Sequence, residues 1–217
     1  MSLPKLKYYK HYKNKPYRYI GTAKHSEELI DYVIYECLYP NELSTLWIRP
    51  QSMFHENIHA EGKSRPRFKI SDYTIEAYDH VTESLEKELY PLCEKTFPLF
   101  NIEKFKSRMK DKNKIKVFCL YIDSELAGFK IGYEKNIKTH YSWLGAVQEK
   151  YRRLGIAQAL MQAQHTWAKE HKYKYVETKS ENKFKDMMIL NLRSGFEIVG
   201  TESSPSHQTK ILFRKQL

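Results

Sequence analysis

The most informative stretch of this chain is Val147-Gln148-Glu149-Lys150-Tyr151-Arg152-Arg153-Leu154-Gly155-Ile156-Ala157. An apolar segment ends at Val147, a basic turn follows, and one glycine precedes a long helical pattern. Apolar residues recur at helical spacing beyond that glycine. They predict an amphipathic helix over Gly155–His171 with an apolar stripe at Ile156, Leu160, Ala163 and Trp167.

The start of this predicted helix is suited to binding an anion. The first backbone N–H groups of a helix have no partner within it, and the helix dipole adds positive potential there. Gly155 allows a close backbone approach, while Lys150, Arg152 and Arg153 add cationic side chains. The stretch therefore predicts a diphosphate site, although a helix that merely begins after a loop glycine would show the same spacing. No GxGxxG or GxxxxGK[ST] pattern is present, so the usual dinucleotide and P-loop interpretations have no support.

The segments around this stretch predict an α+β domain with a mixed sheet. Two helices come first, then a hairpin turning at Asp123-Ser124-Glu125, and then helices and strands that alternate. The predicted helices are Val81–Thr96, Ile102–Lys112, Gly155–His171 and Lys185–Arg193. The predicted strands are Lys116–Ile122, Leu126–Tyr133, His140–Val147, Tyr175–Lys179, Phe196–Thr201 and Thr209–Arg214.

Residues 1–70 have a different pattern of short β segments broken by turns. Strands are predicted at Tyr17–Ile20, Tyr32–Leu38 and Leu46–Ile48. The polar stretch Glu61-Gly62-Lys63-Ser64-Arg65-Pro66 contains residues that disrupt regular structure, so a domain boundary is expected just after it, near residue 70. The chain is thus predicted to hold a small β domain over 1–70 and an α+β domain over 71–217.

Composition limits the classes of function further. The chain has 217 residues, a net charge of +11 and no apolar run long enough for a membrane span, and its lysine-rich N-terminus is no secretory signal. The three cysteines form no CxxC, which favours buried free thiols in a cytoplasmic protein. Residues 1–18 carry six cations and four tyrosines but no carboxylate. That mixture suits nucleic acid, which is possible but not favoured, and it equally suits a solvated edge strand.

Two blocks of the chain resemble the GCN5-related N-acetyltransferase (GNAT) superfamily. Arg152-Arg153-Leu154-Gly155-Ile156-Ala157 matches the family signature R/Q-x-x-G-x-G/A, between a predicted strand and a predicted helix. The block from Asn182 to Phe196 is similar to the family's late helix and the "GF" strand that follows. The resemblance covers about two thirds of the chain. It implies a mixed sheet flanked by helices, and transfer of an acetyl group from acetyl-CoA to a primary amine.

The resemblance also implies which residues would hold CoA. Backbone amides of Arg153, Gly155, Ile156 and Ala157 would cradle the diphosphate together with Arg152, and Leu154 lies within the same signature. Ala146 and Val147, at the end of the preceding strand, would pair their main chain with the pantetheine arm where that strand splays from its neighbour. Asn182 and Asn191 occupy positions where the family often contacts CoA.

The chain departs from the family at the positions that move protons. Asn191 stands where many members have the tyrosine that protonates the departing thiolate, and the strand over 141–146 lacks the carboxylate often used as a base. Glu134, His140 and Tyr141 lie near the strand that is expected to face the acceptor, so each is a candidate for the base. Each also fits the simpler interpretation of an edge or surface residue. A catalytically inactive CoA-binding or nucleic-acid-binding regulatory protein is therefore the alternative function.

Two further motifs lie in the N-terminal region. His55-Glu56-Asn57-Ile58-His59 fits the HExxH zinc pattern, but Pro50 and Gly62 leave room for only two or three helical turns, so no metal is expected. The region also resembles a small bacterial domain of unknown function. That likeness rests on Tyr12–Tyr17, Ala23–Glu27, Tyr39, Leu46–Pro50, Met53-Phe54 and Arg65–Phe68. It implies an SH3-like all-β module whose Tyr17, Tyr35, Trp47 and Arg49 form either a recognition surface or the core and its rim.

Overall fold

The structure is a computed structural model that describes residues 6–60, 62–203 and 209–217. Over these residues the chain forms two compact units. One unit holds residues 6–73 together with the turn Lys150–Gly155, and the other holds Thr74–Glu149 and the described residues from Ile156 to Leu217. The domain bounds 1–70 and 71–217 remain a prediction, because compact units need not coincide with domains.

The first unit is built from antiparallel strands, as the all-β prediction requires. Its five-stranded sheet has the order β4-β3-β2-β1-β7, and β5 and β6 form a separate hairpin within the described residues. The strands are β1 (Tyr8–His11), β2 (Pro16–Lys24), β3 (Asp31–Cys37), β4 (Leu46–Pro50), β5 (Asn57–Ala60), β6 (Lys63–Pro66) and β7 (Phe68–Ile70), with a short helix α1 (Gln51–His55) after β4.

The polar stretch from Glu61 to Pro66 is not the irregular linker that its composition suggested. Glu61 lies outside the described residues, but Lys63–Pro66 forms β6 and pairs with β5. Gly62 makes the connection possible because its φ of +74° lies in the region that favours glycine. A hairpin with polar, exposed side chains and a linker look alike in composition, since neither buries an apolar face.

The core of the first unit is aromatic. Alternate residues of β3 point inward, and Val33 and Tyr35 are buried there. Phe54 from α1 stacks on Phe68 from β7 with ring centroids 4.2 Å apart, and both are buried. Large rings bury much apolar area per residue, which a small domain needs. Tyr35 therefore belongs to the core rather than to a recognition surface.

The second unit contains a mixed sheet flanked by helices, as predicted. Its seven described strands have the order β13-β14-β12-β11-β10-β9-β8. They are β8 (Tyr73–Tyr78), β9 (Lys116–Ile122), β10 (Glu125–Asn136), β11 (Thr139–Val147), β12 (Tyr175–Glu181), β13 (Glu197–Ser203) and β14 (Thr209–Gln216). The helices are α2 (Glu83–Thr96), α3 (Ile102–Asp111), α4 (Ile156–Glu170) and α5 (Lys185–Arg193). The edge strand β8 is the one element of this unit that the sequence pattern missed.

The alternation of side chains along β9 shows how the helices cover the sheet. Val117 and Cys119 are buried in the core that also contains residues of α2 and α3. Phe118, which points the opposite way, has its ring 6.3 Å from that of Trp167 in α4. Because successive side chains of a strand face opposite sides, α4 covers the face that α2 and α3 do not.

The hairpin between β9 and β10 turns where the sequence indicated. Ile122 pairs with Glu125, leaving Asp123 and Ser124 as a two-residue loop. Both have positive φ, 52° and 64°. Two consecutive positive φ values define the type I′ turn, whose twist matches that of a hairpin.

Gly132 in β10 offers a test of how tightly this unit is packed. A methyl group there would lie 2.7 Å from Gln164 Nε2, 2.8 Å from the Tyr141 carbonyl oxygen and closer still to His140 Nε2. We expect Gly132→Ala to lower the free energy of unfolding by about 1–3 kcal/mol, as overpacked cores do. Urea denaturation would measure it, with Gly21→Ala as the control because nothing lies within 4 Å of its added methyl group. Equal stabilities for the two variants would contradict this packing.

Candidate functional site

The central feature of the second unit is a pair of parallel strands that part. β11 and β12 pair only at Thr139↔Tyr175, His140↔Val176 and Tyr141↔Glu177. Beyond these pairs β11 runs on to Val147 and β12 to Glu181 without further pairing between them. β12 instead pairs with β14 along all seven of its residues, and β11 pairs with β10 as far as Val147. A wedge-shaped gap therefore opens inside the sheet.

A β-bulge lies on β11 close to the point where the strands part. Ile131 pairs with Leu144 and Gly132 with Ser142, so Trp143 is an extra residue in the ladder. A bulge bends its strand and increases the local twist. It also shifts the alternation of side chains along β11 by one residue. Before the bulge His140 and Ser142 lie on one face of the sheet, and after it Gly145 and Val147 lie on that same face.

The predicted anion-binding stretch lies directly after the open end of β11. Ala146 is buried and Val147 is half-buried at the end of the strand, and a single 3₁₀ turn, Glu149–Tyr151, follows. Helix α4 begins at Ile156, so the predicted helix start at Gly155 is one residue early. The prediction of a strand, a basic turn and a helix in succession is confirmed.

The backbone of the turn has the geometry that presents N–H groups to an anion. Arg153 has a φ of +63° and Gly155 a φ of +94°. Positive φ values alternating with ordinary ones form concave nests of N–H groups, and the first N–H groups of α4 lie just beyond. The side chains of Arg152 and Arg153 are exposed, whereas Leu154 is fully buried and anchors the turn.

The turn is held by strand β1 within the unit to which both belong. The backbone N–H of Lys7 donates a hydrogen bond to the carbonyl oxygen of Leu154, at 3.0 Å. The ring of Tyr151 packs edge-on against that of Tyr8, with centroids 5.8 Å apart. These contacts fix Leu154 while its neighbours Arg153 and Gly155 keep their unusual backbone angles.

The two asparagines occupy different environments. Asn182 is exposed in the turn that follows β12, and Asn191 is buried in α5 with 2% of its surface exposed. The Oδ1 atom of Asn191 has no hydrogen-bond partner in the described part of the chain. A buried amide oxygen without a partner is costly, so it marks a place where a ligand or water is expected.

A group of buried polar side chains lies on the α4 face of the sheet, near the point where the strands part. We call it the polar cluster and define it as Lys130, His140, Ser142, Gln164 and His165. His140 Nε2 and Gln164 Nε2 both lie against the position that a Cβ of Gly132 would take. Six polar atoms of His140, Ser142, Gln164 and His165 have no hydrogen-bond partner within the described residues. The apolar stripe predicted for α4 gave no sign of it, because Gln164 and His165 are not members of that stripe.

None of the three side chains considered as a base is poised to act as one. The Lys114 ammonium, 2.7 Å away, holds the pKa of Glu134 below its usual value. Burial lowers the pKa of His140 to about 4, with a further contribution from Lys130. Burial raises the pKa of Tyr141 to about 12. These groups are respectively an ion-paired carboxylate, a neutral imidazole and a protonated phenol near neutral pH.

The first unit carries a surface on which rings and cations alternate. We call it the basic aromatic face and define it as His11, Tyr12, Tyr17, Tyr39, Arg49 and Arg67, all half-buried. The rings of His11 and Tyr12 lie 4.2 Å apart, and the hydroxyls of Tyr17 and Tyr39 share a 2.6 Å hydrogen bond. Lys15 Nζ lies 4.9 Å from the centre of the Tyr39 ring. Tyr17 and Arg49 thus belong to this face, and Tyr17 also packs against the core, as Trp47 does.

The electrostatics of this face favour a negatively charged ligand. Burial, together with the nearby cations Arg67, Arg49 and Lys13, lowers the pKa of His11 to about 4. Glu56 accepts a hydrogen bond from Arg67 Nε at 2.6 Å and so offsets part of this charge. A neutral imidazole beside three cations is an environment that an anion would stabilise.

The HExxH pattern does not form a zinc site. His55 ends α1, and His59 lies in strand β5, so the two side chains do not share a helical face. Across the described residues no three His, Cys, Asp or Glu side chains gather as metal ligands would. Cys37, Cys93 and Cys119 are buried and unpaired, which confirms the prediction of free thiols. No described helix is long and apolar enough to cross a membrane.

Comparisons with known structures agree with this geometry. The acetyl-CoA-bound GNAT family acetyltransferase from Elizabethkingia anophelis shares 19% identity over 67% of this chain and 98% of its own, with a TM-score of 0.56. The ribosomal-protein-S18-alanine N-acetyltransferase from Escherichia coli shares 15% identity over 67% of this chain and 94% of its own, with a TM-score of 0.57. Arabidopsis thaliana NAA60 in complex with acetyl-CoA shares 18% identity over 67% of this chain and 99% of its own, with a TM-score of 0.56. At these identities the likeness establishes the fold.

The fold of the second unit is thus that of the GNAT acetyltransferases. Residues 78–185 match the family model described as "Acetyltransferase (GNAT) family", and residues 7–70 match "Protein of unknown function (DUF1653)". The chain carries a GNAT-family domain preceded by a DUF1653 domain, which confirms the resemblance found in the sequence. No curated protein matches the chain by sequence.

The buried histidines of the polar cluster make stability depend on pH. Burial lowers the pKa of His165 to about 3, against about 6.5 in an unfolded chain. Between these values the unfolded chain binds the proton and the folded chain does not, so stability falls as pH drops from about 6.5 towards 4. We expect His165→Gln to flatten this fall by up to about 1.4 kcal/mol per pH unit in urea denaturation.

The control for this measurement is His171→Gln, at an exposed residue one position beyond the end of α4. It should leave the slope of stability against pH as it is in the unmodified protein. Parallel curves for His165→Gln and the unmodified protein would show that His165 is not held neutral in the folded state.

Proposed function

We propose that this protein is an N-acetyltransferase that transfers the acetyl group of acetyl-CoA to a primary amine of an acceptor. The observation that carries the proposal is the parting of β11 and β12 beyond Tyr141, together with the turn and helix that follow β11. An open strand edge supplies main-chain hydrogen bonds to an extended amide-containing arm, as sheet edges do for peptides. The helix start supplies the anion site for its diphosphate.

The residues present fit both the diphosphate and the pantetheine arm of CoA. N–H groups of Arg153, Gly155, Ile156 and Ala157 would hold the diphosphate, with Arg152 beside them and Leu154 fixing the turn. Ala146 and Val147 would pair with the pantetheine arm along the open edge. Asn182 and Asn191 are proposed as further contacts, and the unpartnered Oδ1 of buried Asn191 supports the second.

Acetyl-CoA supplies the acetyl group as a reactive thioester, and we propose that the acceptor amine receives it directly. A covalent intermediate on cysteine would need an accessible thiolate. Burial instead raises the pKa of Cys93 and of Cys119 to about 12, and Cys37 is also buried. The role left to the protein is to orient the two reactants and to accept the proton that the amine loses.

The competing proposal is a regulatory protein that binds CoA or nucleic acid without catalysis. The observations in its favour are Asn191 at the family's tyrosine position and the absence of a poised base among Glu134, His140 and Tyr141. Release of free CoA from acetyl-CoA, measured with a panel of primary amines, separates the two. Turnover with any amine supports the enzyme, and CoA binding without turnover across the panel supports the regulatory protein.

The diphosphate site is tested by Gly155→Glu. The substitution places a side chain on a residue with a φ of +94° and adds a negative charge where the diphosphate would bind. We expect isothermal calorimetry to show no CoA binding. Thr166→Glu is the matched control because it adds the same charge at an exposed position later in α4, about 15 Å away. Unchanged CoA affinity in folded Gly155→Glu would show that the site lies elsewhere.

We also propose that the N-terminal domain recruits an anionic acceptor or partner through its basic aromatic face. The convergence of Arg67, Arg49 and Lys13 on His11 supports this role. The cations between Lys5 and Arg18 extend the positive charge of this face along β1 and the turn that follows it. Lys5 itself lies outside the described residues. Rings beside cations suit both the bases and the phosphates of a single strand of nucleic acid, which makes such a strand the natural probe.

The recruitment proposal predicts a salt-dependent affinity. For a fluorescent single-stranded oligonucleotide, log affinity should fall linearly with log salt, by about 0.7 per phosphate contacted. Lys13→Gln with Lys15→Gln should weaken binding and make that slope shallower by about 1.4. Lys172→Gln with Lys174→Gln, an exposed pair in the other unit, is the control with the same loss of charge. Equal losses of oligonucleotide affinity in the two double variants would show that binding is not specific to the basic aromatic face.

A further inference from the structure

Lys130 lies inside the second unit, in a place where a lysine is rarely found. It is on β10, paired with Phe118 of β9 and Gly145 of β11, and it has 9% of its surface exposed. Within the described part of the chain its ammonium has no carboxylate partner and no hydrogen bond. Buried lysines are normally paired, so an unpaired one calls for an explanation.

The side chain of Lys130 extends towards the gap between β11 and β12. Its Cγ lies 3.6 Å from the position that a Cβ of Gly145 would take, so the stem rests on a residue that has no side chain. Its charge acts on His140 of β11 and on His165 of α4. The stem of Lys130 therefore leans over β11, on the face of the sheet that α4 covers. Gly145 and Ser142 on this face belong to the stretch of β11 that β12 has left.

The groups that face Lys130 leave its proton weakly held. Burial alone lowers the pKa of Lys130 to about 8. His140 and His165 are neutral near pH 7, and Lys215 from β14 is a further cation close to His165. Glu134 pairs with His140 across β10 and β11, and its carboxylate is engaged by Lys114 and by the Tyr173 hydroxyl. A pKa near 8 is close to that of a thiol, about 8.5.

We infer that Lys130 is the general acid of the proposed reaction, donating a proton from Nζ to the sulfur that leaves as the acetyl group is transferred. This inference rests on the proposed function. When the amine–carbonyl bond forms and the carbon–sulfur bond breaks, the amine loses one proton and the sulfur gains one. Lys130 gives up an N–H bond as the S–H bond forms, and it regains a proton from water or from the acceptor's ammonium.

This role explains why the family's tyrosine position can hold an asparagine. Asn191 cannot give up a proton, whereas Lys130 pairs with Gly145 in the open stretch of β11 and so offers a donor on β10 rather than on α5. The unpartnered ring nitrogens of His140 and amide atoms of Gln164 leave room for hydrogen bonds to water beside Lys130. Water held there would return protons to the lysine between turnovers.

The first test is kinetic and uses two substitutions. Lys130→Met removes the proton and keeps the length of the side chain, whereas Lys130→Arg keeps the charge on a group that does not release its proton. Both should lower kcat by about 10²–10⁴, as loss of a general acid does, with the CoA affinity kept within about threefold. Above pH 8 the kcat of the unmodified protein should fall as Lys130 deprotonates, and this decline should be absent in Lys130→Met.

Lys116→Met is the matched control, since Lys116 lies on β9, near Trp167 of α4, and is ion-paired with Asp79. Its kcat should equal that of the unmodified protein. Normal turnover in Lys130→Met, or in Lys130→Arg, would overturn the acid role while leaving the proposed function intact. A complete lack of turnover in the unmodified protein would instead refute the proposed function.

The second test needs no turnover and uses the unmodified full chain. Acetic anhydride labels neutral lysines, so labelling across a pH series reports each lysine's pKa by mass spectrometry. Lys130 should reach half-maximal reactivity near pH 8, against about 10.4 for an ordinary lysine, and CoA should protect it. Labelling of Lys130 that CoA does not slow would overturn the inference. A stable acetyl group on Lys130 after turnover would also overturn it, because an acetylated lysine cannot carry the proton.

Discussion

The GNAT-family domain depends on hydrogen bonds that β11 and β12 do not make with each other. Backbone N–H and C=O groups need partners, so a strand that leaves its neighbour normally moves to another one. Here β11 keeps β10 and β12 keeps β14, each on its outer edge, so both strands stay fixed where they part from each other. The edges that face the gap are left with backbone N–H and C=O groups that need partners, which a bound ligand could supply.

The proposed chemistry is arranged around that edge. The turn that would hold an anion follows the open end of β11, and the polar cluster lies beside its closed end. A molecule with a diphosphate at one end and a thioester at the other is long enough to use both. The bulge at Trp143 turns Gly145 to the face that carries His140 and Ser142, which brings the Lys130 stem to the open edge.

The sequence predicted those features that arise from local chemistry. Gly155 marked the turn because a positive φ there favours glycine, and Asp123-Ser124 marked a hairpin because a short polar pair separates two apolar runs. Periodicity located four helices and six strands of the second unit within a few residues. The signature around Gly155 was informative because strand, turn and helix are consecutive in the chain.

Features that depend on distant residues could not be predicted in this way. Gln164 and His165 lie outside the predicted apolar stripe and look like solvent-facing positions, but both are buried in the folded helix α4. Lys130 looks like the polar member of an alternating strand, since only the fold brings α4 over it. Each of these needs the position of an element that is remote in sequence.

Gly145 leaves space for the side chain of Lys130. A Cβ there would lie 3.1 Å from the Phe129 carbonyl oxygen and 3.6 Å from Lys130 Cγ, so an alanine would be tight and a larger side chain would displace the lysine stem. Positions 130 and 145 are therefore sterically coupled. We expect relatives of this chain that have a bulky residue at 145 to lack the lysine at 130. If Lys130 is the acid that we propose, such relatives need a proton donor at another position around the gap.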